Sequence, residues 1–300
     1  MADKVEKRIL TLYSDVQATS VHWLWYPFIA VGKITLLQGD PGDGKSTMMM
    51  NLIAELSKGG KTPDGKPVGT PQRVIYQCSE DGVSDTIKPR LERCGADCRK
   101  VAFINEETYS GLTLDDERIR QAIIEFRPRL VVIDPIQAYL GSDSDLQIAG
   151  RARKLMQRLG MWASVYDCAI VLIGHLNKAS GVQSDYRTLG SVDIAAAVRS
   201  ILFVEKVEKE KSQDIRVVYQ QKDSLAKKEN PVAFSLSDDG LIWMGEYDIS
   251  IDDLLAGNTG TKKETKLEKA KKLILELLGK RKMMCLEELE AELQAYEISA

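Results

Sequence analysis

Three hundred residues, 44% of them apolar, can bury one substantial core with room for a small appendage. A net charge of -3 supplies no global basic field, so any contact with nucleic acid has to come from local patches. No run approaches the ~20 apolar residues of a membrane span, and MADKVEKRIL lacks the apolar stretch of a secretory signal, so a cytoplasmic protein with no membrane partner is expected.

Five cysteines at irregular spacing make no disulfide framework. Cys94 and Cys98 have no second pair to complete a zinc site and are read as packing residues.

Near the N-terminus His22 opens the aromatic segment HWLWYPF, in which Trp23, Trp25, Tyr26 and Phe28 suit core or edge packing better than a base-stacking platform. Apolar runs ending in polar or small residues then predict strands over 33–39, 73–79, 101–105, 130–134, 169–175 and 200–205. Between them lie helical patterns over 45–56, 83–94, 114–126 and 146–165. Strand and helix alternate as in an α/β fold whose mostly parallel sheet carries helices on both faces.

After Glu205 the helices stop. Strands are predicted over 215–222, 232–236 and 241–244, the last two joined by a Ser-Asp-Asp-Gly turn, which makes an antiparallel C-terminal extension on the sheet edge. The small, polar segment NTGTKKET over 258–265 marks a linker between a main domain, 1–257, and a short helical tail, 266–300. In the tail Leu267, Ala270, Ile274, Leu277 and Leu278 follow helical spacing, and Leu286, Leu289 and Leu293 begin a second helix. The pair reads as a truncated helix-turn-helix module without its recognition helix.

The strongest chemical signal lies between the first long strand and the helix after it. Gly39-Asp40-Pro41-Gly42-Asp43-Gly44-Lys45-Ser46 fits G-x-x-x-x-G-K-[ST], in the strand-to-helix setting that its mechanism needs. Glycines let the backbone curl so that N–H groups point at phosphate oxygens, and the helix adds the positive end of its dipole. Lys45 supplies a mobile charge for the β- and γ-phosphates, Ser46 a hydroxyl for Mg²⁺, and Thr47 support for the α-phosphate. ATP and Mg²⁺ are therefore the expected ligands.

Three further residues stand at strand ends, where α/β sheets place their sites. Asp134 ends the buried-strand pattern LVVID and is a candidate magnesium ligand, although such a residue can also be an ordinary strand-capping aspartate. Glu80, beside Asp81, is the candidate base that orients water. His175 ends the strand over 169–175; a histidine there is either structural or a sensor of the γ-phosphate.

With these residues assembled, the chain resembles the RecA-like P-loop ATPases close to the plasmid RepA-type hexameric helicases, in the wider group of DnaB- and RecA-like proteins. The carriers are HWLWYPFIAVGKITLLQGDPGDGKST, VIYQCSED, DTIKPRLERCGAD, LVVIDPIQAYLG, VLIGHLNK and TLGSVDIAAAVRSILFV, all in the family's order between Val21 and Leu236. The resemblance implies ATP hydrolysis with Lys45, Glu80, Asp134 and His175 in the roles just given. It implies a homo-oligomeric, hexameric ring with shared active sites, in which Arg199 serves as an arginine finger for the neighbouring subunit; a surface ion pair is the plainer role for that residue. Arg90 resembles the family's nucleotide-contacting arginine, though an arginine near Glu92 and Asp85 also suits local salt bridges. Lys222 resembles the lysine of a trans K-x-R element, but Ser224 stands where its arginine belongs.

Two functions fit best. One is a DNA replication or helicase-type motor or loader gripping single-stranded DNA, with the loop over 176–189 as the candidate contact. The other is a regulatory ATPase that controls a protein partner or transcription without unwinding DNA, which the acidic balance suits. A phosphotransferase ranks last, because no acceptor signature or arginine-rich lid is visible.

Overall fold

In the computed structural model, residues 9–106, 111–141, 149–175, 192–207, 214–237 and 240–249 are described. The candidate DNA loop over 176–189, and all residues from 250 onward, among them the linker over 258–265 and the tail, lie outside them.

Buried β-branched runs build a nine-stranded sheet, preceded by a small antiparallel hairpin of β1 (Trp23–Trp25) and β2 (Ile29–Ala30). The large sheet uses β3 (Ile34–Gly39), β4 (Val74–Cys78), β5 (Val101–Ala102), β6 (Leu130–Asp134), β7 (Ala169–His175), β8 (Ser200–Lys206), β9 (Ile215–Asp223), β10 (Val232–Ser237) and β11 (Gly240–Glu246). Its order is β11-β10-β9-β8-β3-β7-β6-β4-β5. Pairings from β5 to β8 are parallel, and those from β8 out to β11 are antiparallel. The fold is thus an α/β RecA-like P-loop NTPase fold with the expected antiparallel extension.

Strand alternation divides the core into two layers. Leu37, Tyr76, Val132, Ile173, Val204 and Val218 face α1 (Lys45–Lys58) and α2 (Lys88–Arg93), where Met48, Met49, Leu52, Ile53 and Leu91 are buried. The alternate residues turn to the other face, which carries α3 (Glu117–Phe126) and α4 (Ala149–Val165); there Ile75, Val131 and Ile133 line a small void with Ile119 of α3. A short α5 (Val192–Ala197) leads into β8.

Several boundaries differ from the sequence expectation, each for a local reason. The segment over 83–94 is not one α-helix. Pro89 has no N–H to donate, and the chain enters α2 through a wide π-type turn, Val83–Ile87, in which Ile87 N donates to Gly82 O at 2.9 Å. Helix α3 begins at Glu117 rather than 114, because the Asp116 carboxylate caps it by accepting from Arg118 N.

Strand β5 stops after two residues instead of running to 105. The Gln77 side chain takes over: its Oε1 accepts from Ile104 N at 2.8 Å and its Nε2 donates to Ile104 O at 3.3 Å. The aromatic segment does pack. Trp25 is buried against Phe28 and Trp243, whereas His22 and Tyr26 are exposed. Cys94 and Cys98 are free, half-buried thiols, and no cluster of potential metal ligands occurs among the described residues. Among those residues no helix is long and apolar enough to cross a membrane.

The extension is part of the core. Phe234 of β10 is fully buried and meets the Trp243 ring edge-on at 5.4 Å, while Trp243 Nε1 donates to Asn51 Oδ1 of α1 at 2.8 Å. Phe234→Ala is expected to cost about 3–5 kcal/mol in denaturant unfolding, within a single transition; a small loss or a separate early transition would mark the extension as an independent flap.

Candidate active site

The four parallel strands that carry the candidate residues end at one edge of the sheet. Gly39 of β3 pairs with His175 of β7, and Cys78 of β4 pairs with Asp134 of β6. This register sets the ends of β3, β4, β6 and β7 side by side, with Glu80 two residues beyond Cys78.

The loop Gly39–Ser46 curls between β3 and α1. Gly42 and Gly44 adopt left-handed φ values of 89° and 85°, which a side chain would resist, and Gly44 serves as the N-cap of α1. Asp43 folds back so that its Oδ2 accepts from Asp40 N at 2.7 Å. Burial pushes the Asp43 carboxyl above the usual range, opposed by that N–H and by the charge of Lys45. A Cβ on Gly39 would collide with the Val204 carbonyl oxygen, so β8 allows only glycine there. Pro41 and Thr47 are exposed and Ser46 is half-buried.

Lys45 is only 4% exposed, and its Nζ donates to the carbonyls of Gly39 and Asp40, both at 2.8 Å. Burial lowers its pKa, while the charges of Asp43, Asp134, Asp40 and Glu80 pull it back up. Asp134 is likewise 4% exposed, and its Oδ2 accepts from the Tyr76 hydroxyl at 2.8 Å. Burial and the adjacent carboxylate push the Tyr76 phenol far above its ordinary value, so it remains a donor. The other Asp134 oxygen and the Ser46 hydroxyl are hard oxygen donors of the kind Mg²⁺ takes.

His175 Nε2 lies 4.0 Å from Glu80 Oε1, which brings the candidate sensor and the candidate base together at the rim. His175 Nδ1 is buried with no hydrogen-bond partner among the described residues.

Arg90 pairs with neither Glu92 nor Asp85. Its Nη1 donates to Asp81 Oδ2 at 2.7 Å, next to Glu80, while Glu92 pairs with Lys88. With Thr47, Asn51, Arg93, Leu236 and Leu241 it lines a cavity of 440 Å³ beside the first turn of α1.

Arg199 does not join the cluster. It is exposed just before Ser200, which pairs with Thr35 at the opposite end of β3. Lys222 sits near it, with its Nζ capping α5 through the carbonyls of Ala195, Ala196 and Val198. Burial and the Arg199 charge depress the Lys222 pKa.

Sequence reasoning missed two residues at the site, Tyr76 and Arg216. Tyr76 was within reach of a period-2 argument, since it shares a face with Cys78 on a strand leading to Glu80; Arg216 belongs to a strand more than 170 residues away and left no local signal.

A sheet of this order, with a phosphate-type loop after its central strand and carboxylates at the adjoining strand ends, defines a RecA-like P-loop ATPase. Residues 7–181 match the AAA domain family, and the chain belongs to it. It is similar to the DNA repair protein RadA of Halalkalibacterium halodurans, 27% identical over 252 residues, which cover 83% of this chain and 49% of the relative. The RadA proteins of Bacillus subtilis (25% identical, with the same coverage) and of Mycobacterium tuberculosis strain H37Rv (25% over 215 residues, 71% of this chain and 39% of the relative) are also similar. The chain spans about half the length of these relatives, or less.

Tyr76→Phe keeps the ring and removes one donor from a buried carboxylate. It is expected to cost about 1–3 kcal/mol in urea unfolding near neutral pH, and an unchanged midpoint would show that Asp134 does not depend on this bond.

Proposed function

We propose that this protein is a ring-forming ATPase that uses ATP and Mg²⁺ to do work on DNA, as a replication or helicase-type motor or loader. The observation that carries the ATPase reading is the gathered site, and the place of Arg199 fits the ring that the resemblance implies only in trans. Lys45, Glu80, Asp134 and His175 share one edge of the sheet, while Arg199 lies at the other end of β3. From Thr35 to Gly39 the strand rises about 13 Å, more than an arginine side chain covers. If Arg199 meets a γ-phosphate, it does so in a neighbouring subunit.

In this reading the Gly39–Ser46 backbone and Lys45 hold the β- and γ-phosphates. Ser46 and Asp134 would hold Mg²⁺, which neutralises charge on the phosphate oxygens as the bond breaks. Glu80 takes the proton of the attacking water, His175 beside it responds to loss of the γ-phosphate, and Arg199 in trans stabilises the transferring group. Arg90, held by Asp81 and lining the cavity beside Thr47, would contact the nucleotide, as the resemblance implies. The domain 1–257 carries this site, with the linker 258–265 and the tail 266–300 appended.

The DNA role rests on the resemblance to RepA-type hexameric helicases and on relatives named as DNA repair proteins. The net charge of -3 favours the second reading, a regulatory ATPase acting on a protein partner. ATP turnover measured with and without single-stranded DNA, at stated salt, separates the two: strong stimulation supports the motor, and indifference supports the regulator.

Glu80→Gln is expected to retain ATP binding and slow turnover by about 10²-fold or more, because an amide keeps the shape but cannot take a proton. Arg199→Ala is expected to lose about 10³-fold in rate, and mixing the two variants should recover part of it, since some interfaces then carry both intact parts. Near-normal turnover of the Arg199 variant, or of a dilute monomer, would remove the shared-site model.

A further inference from the structure

The phosphate loop has a second cation beside it that comes from far along the chain. Arg216, near the start of β9, pairs in register with Lys206 at the end of β8, which brings it to the same edge of the sheet as the loop. Its side chain is 7% exposed. Nη2 donates to Gly42 O at 3.3 Å, across 174 residues of sequence. Nη1 donates to Asp214 O at 3.1 Å and pairs with Asp214 Oδ2 at 2.7 Å. Nε is buried with no hydrogen-bond partner among the described residues. A Cβ added to Gly44 would lie 3.4 Å from Arg216 Cδ and 2.8 Å from Leu236 Cδ1, so the extension presses directly on the outer wall of the loop.

We propose that Arg216 is a positioning residue for the phosphate loop, gripping the Gly42 carbonyl so that the loop keeps the curl that receives a triphosphate. The proposal rests on the reading of Gly39–Ser46 as the phosphate site. A peptide unit is planar and trans, so its C=O and the following N–H point in opposite directions. Drawing Gly42 O outward to the guanidinium turns the Asp43 N–H into the loop, where it now donates to Asp40 O at 3.2 Å.

Stability does not account for the choice of residue. A buried arginine with an unpaired Nε costs desolvation, and an apolar side chain of similar length fills such a space as well or better. What only arginine supplies is a fork that bonds Asp214 with one arm and Gly42 with the other.

The test compares Arg216→Met, Arg216→Gln and Arg216→Lys with wild type in the full chain, measuring the melting temperature without nucleotide together with KM and kcat for ATP hydrolysis. Arg216→Met removes the fork but keeps the apolar stem, so it retains a folded protein even where Gln does not. The expected result is a KM raised by about 10-fold or more in the Met variant, kcat much closer to wild type, and partial recovery with Lys, which can reach one partner but not both. ADP affinity should fall in parallel, because the same loop holds its phosphates. A folded Met variant with wild-type KM, or a loss that only follows the melting temperature, would overturn the role of Arg216. If wild-type protein bound no ATP at all, the phosphate-site reading itself would fall, which a change confined to the Arg216 variants would not imply.

Discussion

Lys45 keeps a charged ammonium where water hardly reaches, and that requirement organises the site. Burial alone would favour the neutral amine. Opposing it are two backbone carbonyls at 2.8 Å and the negative charges of Asp43, Asp134, Asp40 and Glu80. These groups come from the loop after β3, from the end of β6 and from just beyond β4. They meet around one nitrogen only because the parallel strands end level with one another. The register of the sheet is therefore an electrostatic condition as much as a packing one, and the Tyr76 hydroxyl on Asp134 serves the same balance.

Chain order explains how so many remote segments arrive there. From β3 the backbone travels to the far edge of the sheet at β4 and β5, steps back through β6 and β7, and crosses to β8 on the other side of β3. The central strand is thus flanked by late arrivals, and the antiparallel strands β9 and β10 bring Arg216 and Leu236 onto the back of the loop. One consequence is that the extension, unremarkable as sequence, forms a wall of the site. Another is that the start of β8, with Arg199, is held at the opposite end of the strands from the loop beside which β8 finishes.

Much of this was legible in the sequence where the governing physics is local. The runs LVVID and AIVLIGH end as strands at Asp134 and His175, as their patterns indicate, because a strand buried on both faces leaves little freedom in its limits. Helix α1 follows its glycine-rich loop for the same kind of reason, since the loop shape and helix start are one motif. The reading loses accuracy where a side chain competes with the backbone or where a partner lies far off. Gln77 displaces a strand pairing and Asp116 moves a helix start, each by a side-chain hydrogen bond, and Pro89 widens a turn because it has no N–H to donate; periodicity registers none of these. Arg216 and Tyr76 gain their importance from register across the sheet, and Arg90 from a partner nine residues back, not from its helical neighbours.

The Gln77 substitution has a further effect at the margin of the molecule. A sheet edge ordinarily offers a row of free amides and carbonyls on which another chain can add a strand. Here the outermost strand on that side is two residues long, and just beyond it the Ile104 N–H and C=O turn inward to the Gln77 side chain. So short an edge offers another chain few residues to pair with, and Gln77, which also donates to Glu106 Oε1 at 2.6 Å, holds the segment just past it.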